Sequence, residues 1–491
     1  MRKNIYIIAV LSLILSFTVS CKKDFLDVSP ESTIDDEQLQ TSPEATLGIL
    51  RGIFSALKDY GIAGWADHED YGHKSILTSM DFMGNDMVML GLNWHGFNYN
   101  YEGRVANNSR AHLPWYTYYQ QIKNANIVIE SIDPESEDAQ FQAIRGQALA
   151  LRAYFHFMLA RIYGPTYIGN ENELSIPINA EEHFAHRNTV EEVYEQIIKD
   201  LEAAVELLEG YNRPSREFVD ESVAQAFLAE VYLEVGKYTE AAEMAHAARN
   251  EYGLLSEEEW KNGFYDIGQE ETMWGANLND ELSTWVANFF SHMDNTNEGY
   301  SAGGNIAIDK RLYEAISETD YRKEMFAGSE GAEFTAPNPR TGAPETNEYG
   351  EYISFKFRDL TSDRTTGDYI YLRSAAMYYI EAEGLARSGN EGDARQVLYD
   401  ITKERDPEYT LSVNSGQDLI DEIILQKRIE LWGEGHAWFD LKRLGLGVHR
   451  DYEGSNHSSR LEIPAGDNKF LFMIPEAEID ANEEVLPNNP E

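Results

Sequence analysis

The 491-residue chain has one cysteine and few basic side chains: 40 Lys and Arg against 85 Asp and Glu, a formal net charge of −45. A single thiol, Cys21, excludes a disulfide framework and any site that needs several thiolates. The acidic excess argues against nucleic acid and against electrostatic docking on anionic lipid, since both call for clustered cations. No apolar run beyond residue 20 is long enough to span a bilayer. A glycine-rich phosphate loop and a GxSxG nucleophile elbow are both missing. His68 and His73 approach a zinc HExxH pattern, but their spacing puts them about 140° apart on a helix. Gly72 between them also opposes a helix. Asp294 opens a faint calcium-loop pattern, yet Thr296 and Asn305 stand where ligands are needed, so a turn is the better reading. No metal and no cofactor are expected.

The N-terminus carries the clearest positive signal. Arg2 and Lys3 precede a short apolar run from Ile5 to Val19, and small Ser20 then precedes Cys21. This is the pattern of a cleavable export signal. A lone cysteine at its end reads as a bacterial lipoprotein signal, with Cys21 as the lipidated first residue of the mature chain. More than one acyl chain gives a stable anchor, at ~0.8 kcal/mol per buried CH₂. The competing reading is a plain secretory signal with an incidental cysteine. The stretch Lys22-Lys23-Asp24-Phe25-Leu26-Asp27 looks like a tether and favours the lipoprotein. Loss of Arg2 and Lys3 with the signal makes the net charge about −47.

Helical periodicity dominates the rest of the chain. Pro43 after Ser42 opens a helix through Leu47, Leu50, Ile53 and Leu57. Residues 60–111 lose the period and are expected to be mostly loop. Ile144, Ala148, Leu151, Phe155, Leu159 and Ile162 share one helix face, which Gly164-Pro165 ends. Thr189 and Glu192 form a capping box ahead of Val193, Ile197 and Leu201. Gly236 and Gly389 each separate two helical segments, with Ala241 and Ala394 five residues on, the helix–turn–helix grammar of tetratricopeptide repeats. The expected fold is all-α: a tetratricopeptide-like helix-pair scaffold with a large loop-rich insertion. Its parts are a signal (1–20), a lipidated tether (21–42), an N-terminal helical region (43–254), the insertion (255–368) and a C-terminal helical region (369–491).

Several ordered motifs then resemble the SusD/RagB family of outer-membrane lipoproteins. They include Cys21 to Pro30, Trp115 with Tyr119 and Ile122, and Leu151 to Phe157 followed by Tyr163-Gly164-Pro165. The densest match is Arg428, Glu430, Glu434, Gly435, His436, Trp438, Phe439, Asp440, Leu441 and Arg443. The resemblance implies glycan capture at the cell surface by a protein that sits over its partner, a SusC-like TonB-dependent transporter of the outer membrane. It implies no catalysis. A peptide-binding lid of the same architecture stays open as an alternative, as does an extracytoplasmic glycoside hydrolase.

Aromatics make up 12% of the chain, and the tryptophans sort by context. Trp115, Trp432 and Trp438 lie on helices that carry the resemblance, and Trp274 follows Glu270, Glu271 and Met273 in a pattern the family uses for packing, so the resemblance implies that all four are core; His436, inside an apolar helical pattern, reads as core as well. Trp260 fits either side. Trp65, Trp94 and Trp285 fall in irregular polar segments and are the candidates for stacking on a sugar face. Asn93, Asn98, Asn100, Asp81 and Asp86 are the candidate hydrogen-bond partners for its hydroxyls.

Overall fold

The computed structural model describes residues 36–64, 67–178 and 185–491. Cys21, Trp65 and the signal lie outside them. Among the described residues, ten helices of eleven residues or more carry the fold. They are α1 (Pro43–Ala56), α2 (His73–Met83), α3 (Ser109–Ser131), α4 (Ala139–Tyr163), α5 (Val190–Leu207), α6 (Glu221–Glu234), α7 (Tyr238–Arg249), α8 (Ser374–Arg387), α9 (Glu391–Arg405) and α10 (Gln417–Glu430). None is long and apolar enough to cross a membrane.

Their ends follow local chemistry. Ser42 accepts the Ala45 N–H at 3.3 Å, with Pro43 at the first helical position. Thr189 and Glu192 exchange the reciprocal bonds of a capping box, 3.3 and 2.9 Å. Each satisfied cap is worth ~1 kcal/mol. The helices pack in succession, α3 on α4, α4 on α5, and so on to α8 on α9, with α10 also on α8. Gly236 joins α6 to α7 and Gly389 joins α8 to α9, at φ of 79° and 90°. Ala241 and Ala394, at the starts of the following helices, are fully buried. Between α7 and α8 the approach is closer still: a Cβ on Gly384 would stand 2.5 Å from the Tyr238 carbonyl oxygen.

The segment from 255 to 368 is built differently, with α-helices of only four to six residues. Short antiparallel pairs supply its order. β1 (Met87–Met89) pairs with β3 (Ile306–Ile308), β2 (Thr272–Ala276) with β6 (Tyr369–Arg373), and β4 (Ala332–Pro337) with β5 (Pro344–Tyr349). A last pair joins β7 (Val448–His449) and β8 (Glu462–Ile463). β1 and β6 thus dock the segment onto the helical regions that flank it.

The expectation of loop over residues 60–111 fails at α2. All eleven of its residues are buried. A helix enclosed on every side needs no polar face, so it leaves no period in the sequence.

A buried ion cluster fastens the halves together. Glu430, from the end of α10, receives Arg322 at 2.9 Å, Arg373 at 3.1 Å and Arg405 at 3.2 Å. Trp260 donates its indole N–H to the same carboxylate at 2.9 Å. Glu271, just before β2, pairs with both Arg373 and Arg405. Glu434 takes Arg373 and Lys356, each at 2.6 Å, and Asp320 takes Arg322 at 2.6 Å. Four cations therefore face four carboxylates in a nearly dry interior. The cations hold Glu434 at a pKa of about 2 and Glu430 well below the usual carboxylate range, against burial, which works the other way.

Removing one partner from such a cluster leaves an uncompensated buried charge. Glu430→Gln should therefore cost ~3–5 kcal/mol of stability. Urea unfolding of this variant, beside an exposed Glu404→Gln control, checks it, and a loss no larger than the control's would contradict it.

Candidate functional site

The loop between α1 and α2 is closed at its base. The Leu57 carbonyl accepts the His73 N–H at 2.8 Å and the Tyr371 hydroxyl at 3.0 Å, and the Gly61 N–H reaches the Asp70 carbonyl at 2.9 Å. Its two ends meet, as in a compact Ω-loop, and the loop presents His68 outward. The His68 Nδ1 lies 2.5 Å from the Tyr300 hydroxyl, across a sequence separation of 232 residues. Trp94, half-buried, packs on His68 at 5.2 Å between ring centres, and the exposed Tyr60 ring stands 6.4 Å from it. Together Trp94, His68, Tyr300 and Tyr60 form an aromatic ledge at the surface.

The ledge rests on buried imidazoles. His292 stacks on Tyr300 at 4.8 Å and on Tyr71 at 5.5 Å. Burial lowers its pKa to about 4, so it is neutral near pH 7. Its Nε2 lies 3.0 Å from the His68 carbonyl, which can only accept, so the proton sits on Nε2. His95 hydrogen-bonds Tyr71 and Ser79, both at 2.9 Å. The Leu90 N–H to the Asn305 carbonyl, 2.8 Å, ties the Trp94 loop to the Tyr300 loop.

Two carboxylates, Glu69 and Asp70, lie buried beneath this surface, and Asp67 is half-buried beside them. Arg110 pairs with Glu69 and lies 3.9 Å from Asp67, while its guanidinium covers the Phe97 ring at 4.3 Å. Burial pushes Glu69 and Asp70 up to about 7. Burial raises the Tyr60 hydroxyl as well, and Asp70, Asp67 and Glu69 add to it. Among the described residues, no cluster of three or more His, Cys, Asp or Glu is arranged to hold a metal.

The expected contact residues separate into four groups. Trp94 is on the ledge, with half-buried Asn93 and Asn100 on its loop; the Asn93 Oδ1 accepts the His95 N–H at 3.0 Å. Trp285 is 68% exposed, on a different loop that Lys58 Nζ pins through the Asn277 carbonyl at 2.6 Å. No ring contact joins it to the ledge among the described residues. Trp65 lies outside the described residues. The remaining three residues are corrected. Asp81 is enclosed and accepts the Gly435 and Ala437 N–H groups, both at 2.8 Å. Asp86 is enclosed and clasped bidentately by Arg428 at 2.6 and 3.0 Å. Asn98 is 3% exposed, beneath its loop. The polarity of Asp81 and Asp86 serves the fold, the Asn98 Oδ1 accepts no hydrogen bond, and all three side chains are buried away from the surface.

Sequence reasoning missed Tyr300 and used His68 only as a rejected zinc pattern. No local signal marks either, since the ledge is made by contacts across the whole chain. Trp115, Trp260, Trp274, Trp432 and Trp438 are all buried.

Comparison with known proteins places this chain in a family. Residues 235–491 match the model of the SusD family, and residues 24–233 match a model described as starch-binding associating with outer membrane. The chain belongs to the SusD family. SusD-like protein P2 of Formosa agariphila is 26% identical over 414 residues, covering 77% of this chain and 79% of that one. A SusD-like carbohydrate binding protein from Bacteroides vulgatus ATCC 8482 superposes with a TM-score of 0.77 at 24% identity, over 91% of this chain and 98% of that one. Surface glycan-binding protein A from Bacteroides thetaiotaomicron, solved with laminarihexaose, gives 0.66 at 17% identity, over 91% and 99%.

The Asp70 carboxyl keeps its proton to about pH 7 when folded, but ionises near 3.8 when unfolded. The folded chain binds more protons in that window, so this group makes stability fall as pH rises through it. Asp70→Asn removes the effect. Its melting temperature relative to wild type should rise between pH 5 and pH 8, and a constant difference would contradict the assignment.

Proposed function

We propose that this protein is a non-catalytic glycan-binding lipoprotein of the cell surface, anchored to the outer membrane through Cys21. It passes oligosaccharide to a SusC-like TonB-dependent transporter. The observation that carries the glycan reading is the ledge: Trp94, His68, Tyr300 and Tyr60 assembled at the surface over a buried, neutral imidazole stack. A sugar ring offers an apolar C–H face ringed by hydroxyls. The flat indole takes the face, and the amides of Asn93 and Asn100 lie nearby for the rim. Family membership supports the reading, as does the laminarihexaose complex of a protein with the same fold. A catalytic role for Asp81 and Asp86 has no support, because both are committed to structural partners.

A full Trp side chain buries ~150–250 Å², and stacking one face buries about half of that. At ~25 cal/mol per Å², Trp94→Ala should weaken binding by roughly 2 kcal/mol, or about thirtyfold. Calorimetry with the oligosaccharide that wild type binds is the test. Unchanged affinity in a folded Trp94→Ala protein removes the ledge as the site; Trp285→Ala, on its separate loop, shows whether a second ring contributes.

The anchor is tested by fractionation. Cys21→Ala should leave the outer-membrane fraction or fail to mature. A variant that stays surface-labelled in that fraction, in cells lacking the proposed partner transporter, would refute lipidation at Cys21.

A further inference from the structure

Asn262-Gly263 is the one Asn-Gly step in the chain. It lies in the turn after the short helix Glu257–Trp260, beside the ion cluster. Trp260 donates to Glu430, and the Arg373 guanidinium covers the Phe264 ring at 4.7 Å. Asn262 is exposed, so water reaches its side chain. Gly263 is buried at a φ of 103°, and a Cβ there would stand 2.6 Å from the Arg358 carbonyl oxygen. The fold therefore demands glycine at this position. Glycine also leaves its own amide nitrogen unshielded, and the Gly263 N–H donates no hydrogen bond among the described residues. That nitrogen and the Asn262 side-chain carbonyl belong to neighbouring residues, so their reaction is intramolecular and needs no encounter.

A cation stands beside this step. Arg358 is buried, and its Nη2 donates to the Lys261 carbonyl, one peptide bond before Asn262. Its Nε has no hydrogen-bond partner. Arg358 joins no ion pair among the described residues, and Asp294, the acidic group that acts on it, is held by Arg364 at 2.9 Å. A guanidinium so placed favours each negative charge that the reaction develops. These are the charge on the attacking amide nitrogen, the oxyanion of the tetrahedral intermediate and the carboxylate that results.

We propose that Asn262 is a self-modification site, where the chain converts a side-chain amide to a carboxylate with Arg358 promoting the step. The Gly263 nitrogen gives its proton to solvent and attacks Asn262 Cγ. A C–N bond forms, and the side-chain nitrogen leaves with a solvent proton as ammonia. Water then adds to one carbonyl of the resulting succinimide and breaks that carbonyl's bond to nitrogen. Opening on one side gives aspartate; opening on the other gives isoaspartate, in which the main chain runs through the side-chain carboxyl. The sum consumes one water and releases one ammonia. Isoaspartate adds a methylene to the backbone between Trp260 and Phe264, so conversion loosens the hold of these two rings on the ion cluster.

The test is peptide mapping by mass spectrometry on the full mature chain with Cys21→Ala, held folded in mildly alkaline buffer and sampled as it ages. Position 262 should gain the mass of an amide-to-acid exchange, in two chromatographically distinct products. Asn414, also exposed but with its amide on Glu422 at 2.8 Å, should lag far behind. Folded Arg358→Gln should convert several-fold more slowly than its parent. Arg358→Met, which keeps the stem against the Phe334 ring, serves should the Gln variant misfold. In concentrated urea parent and variants should convert alike. Aged parent should melt at a lower temperature than fresh protein, and aged Asn262→Gln should not. The proposal is overturned by a folded parent that keeps Asn262 intact while the urea-treated chain converts. It is overturned equally by folded Arg358 variants that convert as fast as the parent, or by the same loss of melting temperature in aged Asn262→Gln.

Discussion

The ion cluster around Glu430 is the constraint on which the rest of the structure depends. It draws Glu271, Asp320, Arg322 and Lys356 from one stretch of chain and Arg373, Arg405, Glu430 and Glu434 from another. A loop-rich segment with helices of four to six residues has little order of its own. Buried pairs are poor sources of net stability, because desolvation offsets attraction. Once formed, however, each member penalises any arrangement that strands it. The cluster therefore selects one docking of the segment on the helical scaffold.

The consequence reaches the ledge through β6. Arg373, at its end, belongs to the cluster. Tyr371, two residues back, donates to the Leu57 carbonyl and pins the loop that carries His68. The Tyr369 hydroxyl accepts the Phe289 N–H at 3.4 Å, at the start of the short helix that holds His292 under Tyr300. One strand thus links the interior charges to both halves of the aromatic surface. Loops held in this way by a rigid frame are where binding sites are usually built.

Much of the frame was legible in the sequence. Ser42-Pro43, the Thr189–Glu192 capping box and the turns at Gly236 and Gly389 are local devices, and local devices leave local signatures. Burial of Trp115, Trp274, Trp432 and Trp438 follows from the family resemblance of their settings, whereas Trp260 fits either side in the sequence and is buried by the fold. The site was less legible. Asp81 and Asp86 sit in an acidic, irregular stretch and look available, but backbone N–H groups and Arg428 claim them from more than 340 residues away. Tyr300 and His68 form a pair only because the fold brings them together. α2 hid for a related reason, since enclosure removes the alternation that periodicity needs.

The most direct measurement is a crystal structure of the mature chain with a neutral oligosaccharide that it binds in solution. The account predicts a sugar ring lying face-on against the Trp94 indole, with Tyr300 and Tyr60 beside it and the Glu430 cluster unchanged. A bound oligosaccharide that leaves the Trp94, His68, Tyr300 and Tyr60 surface empty would contradict it.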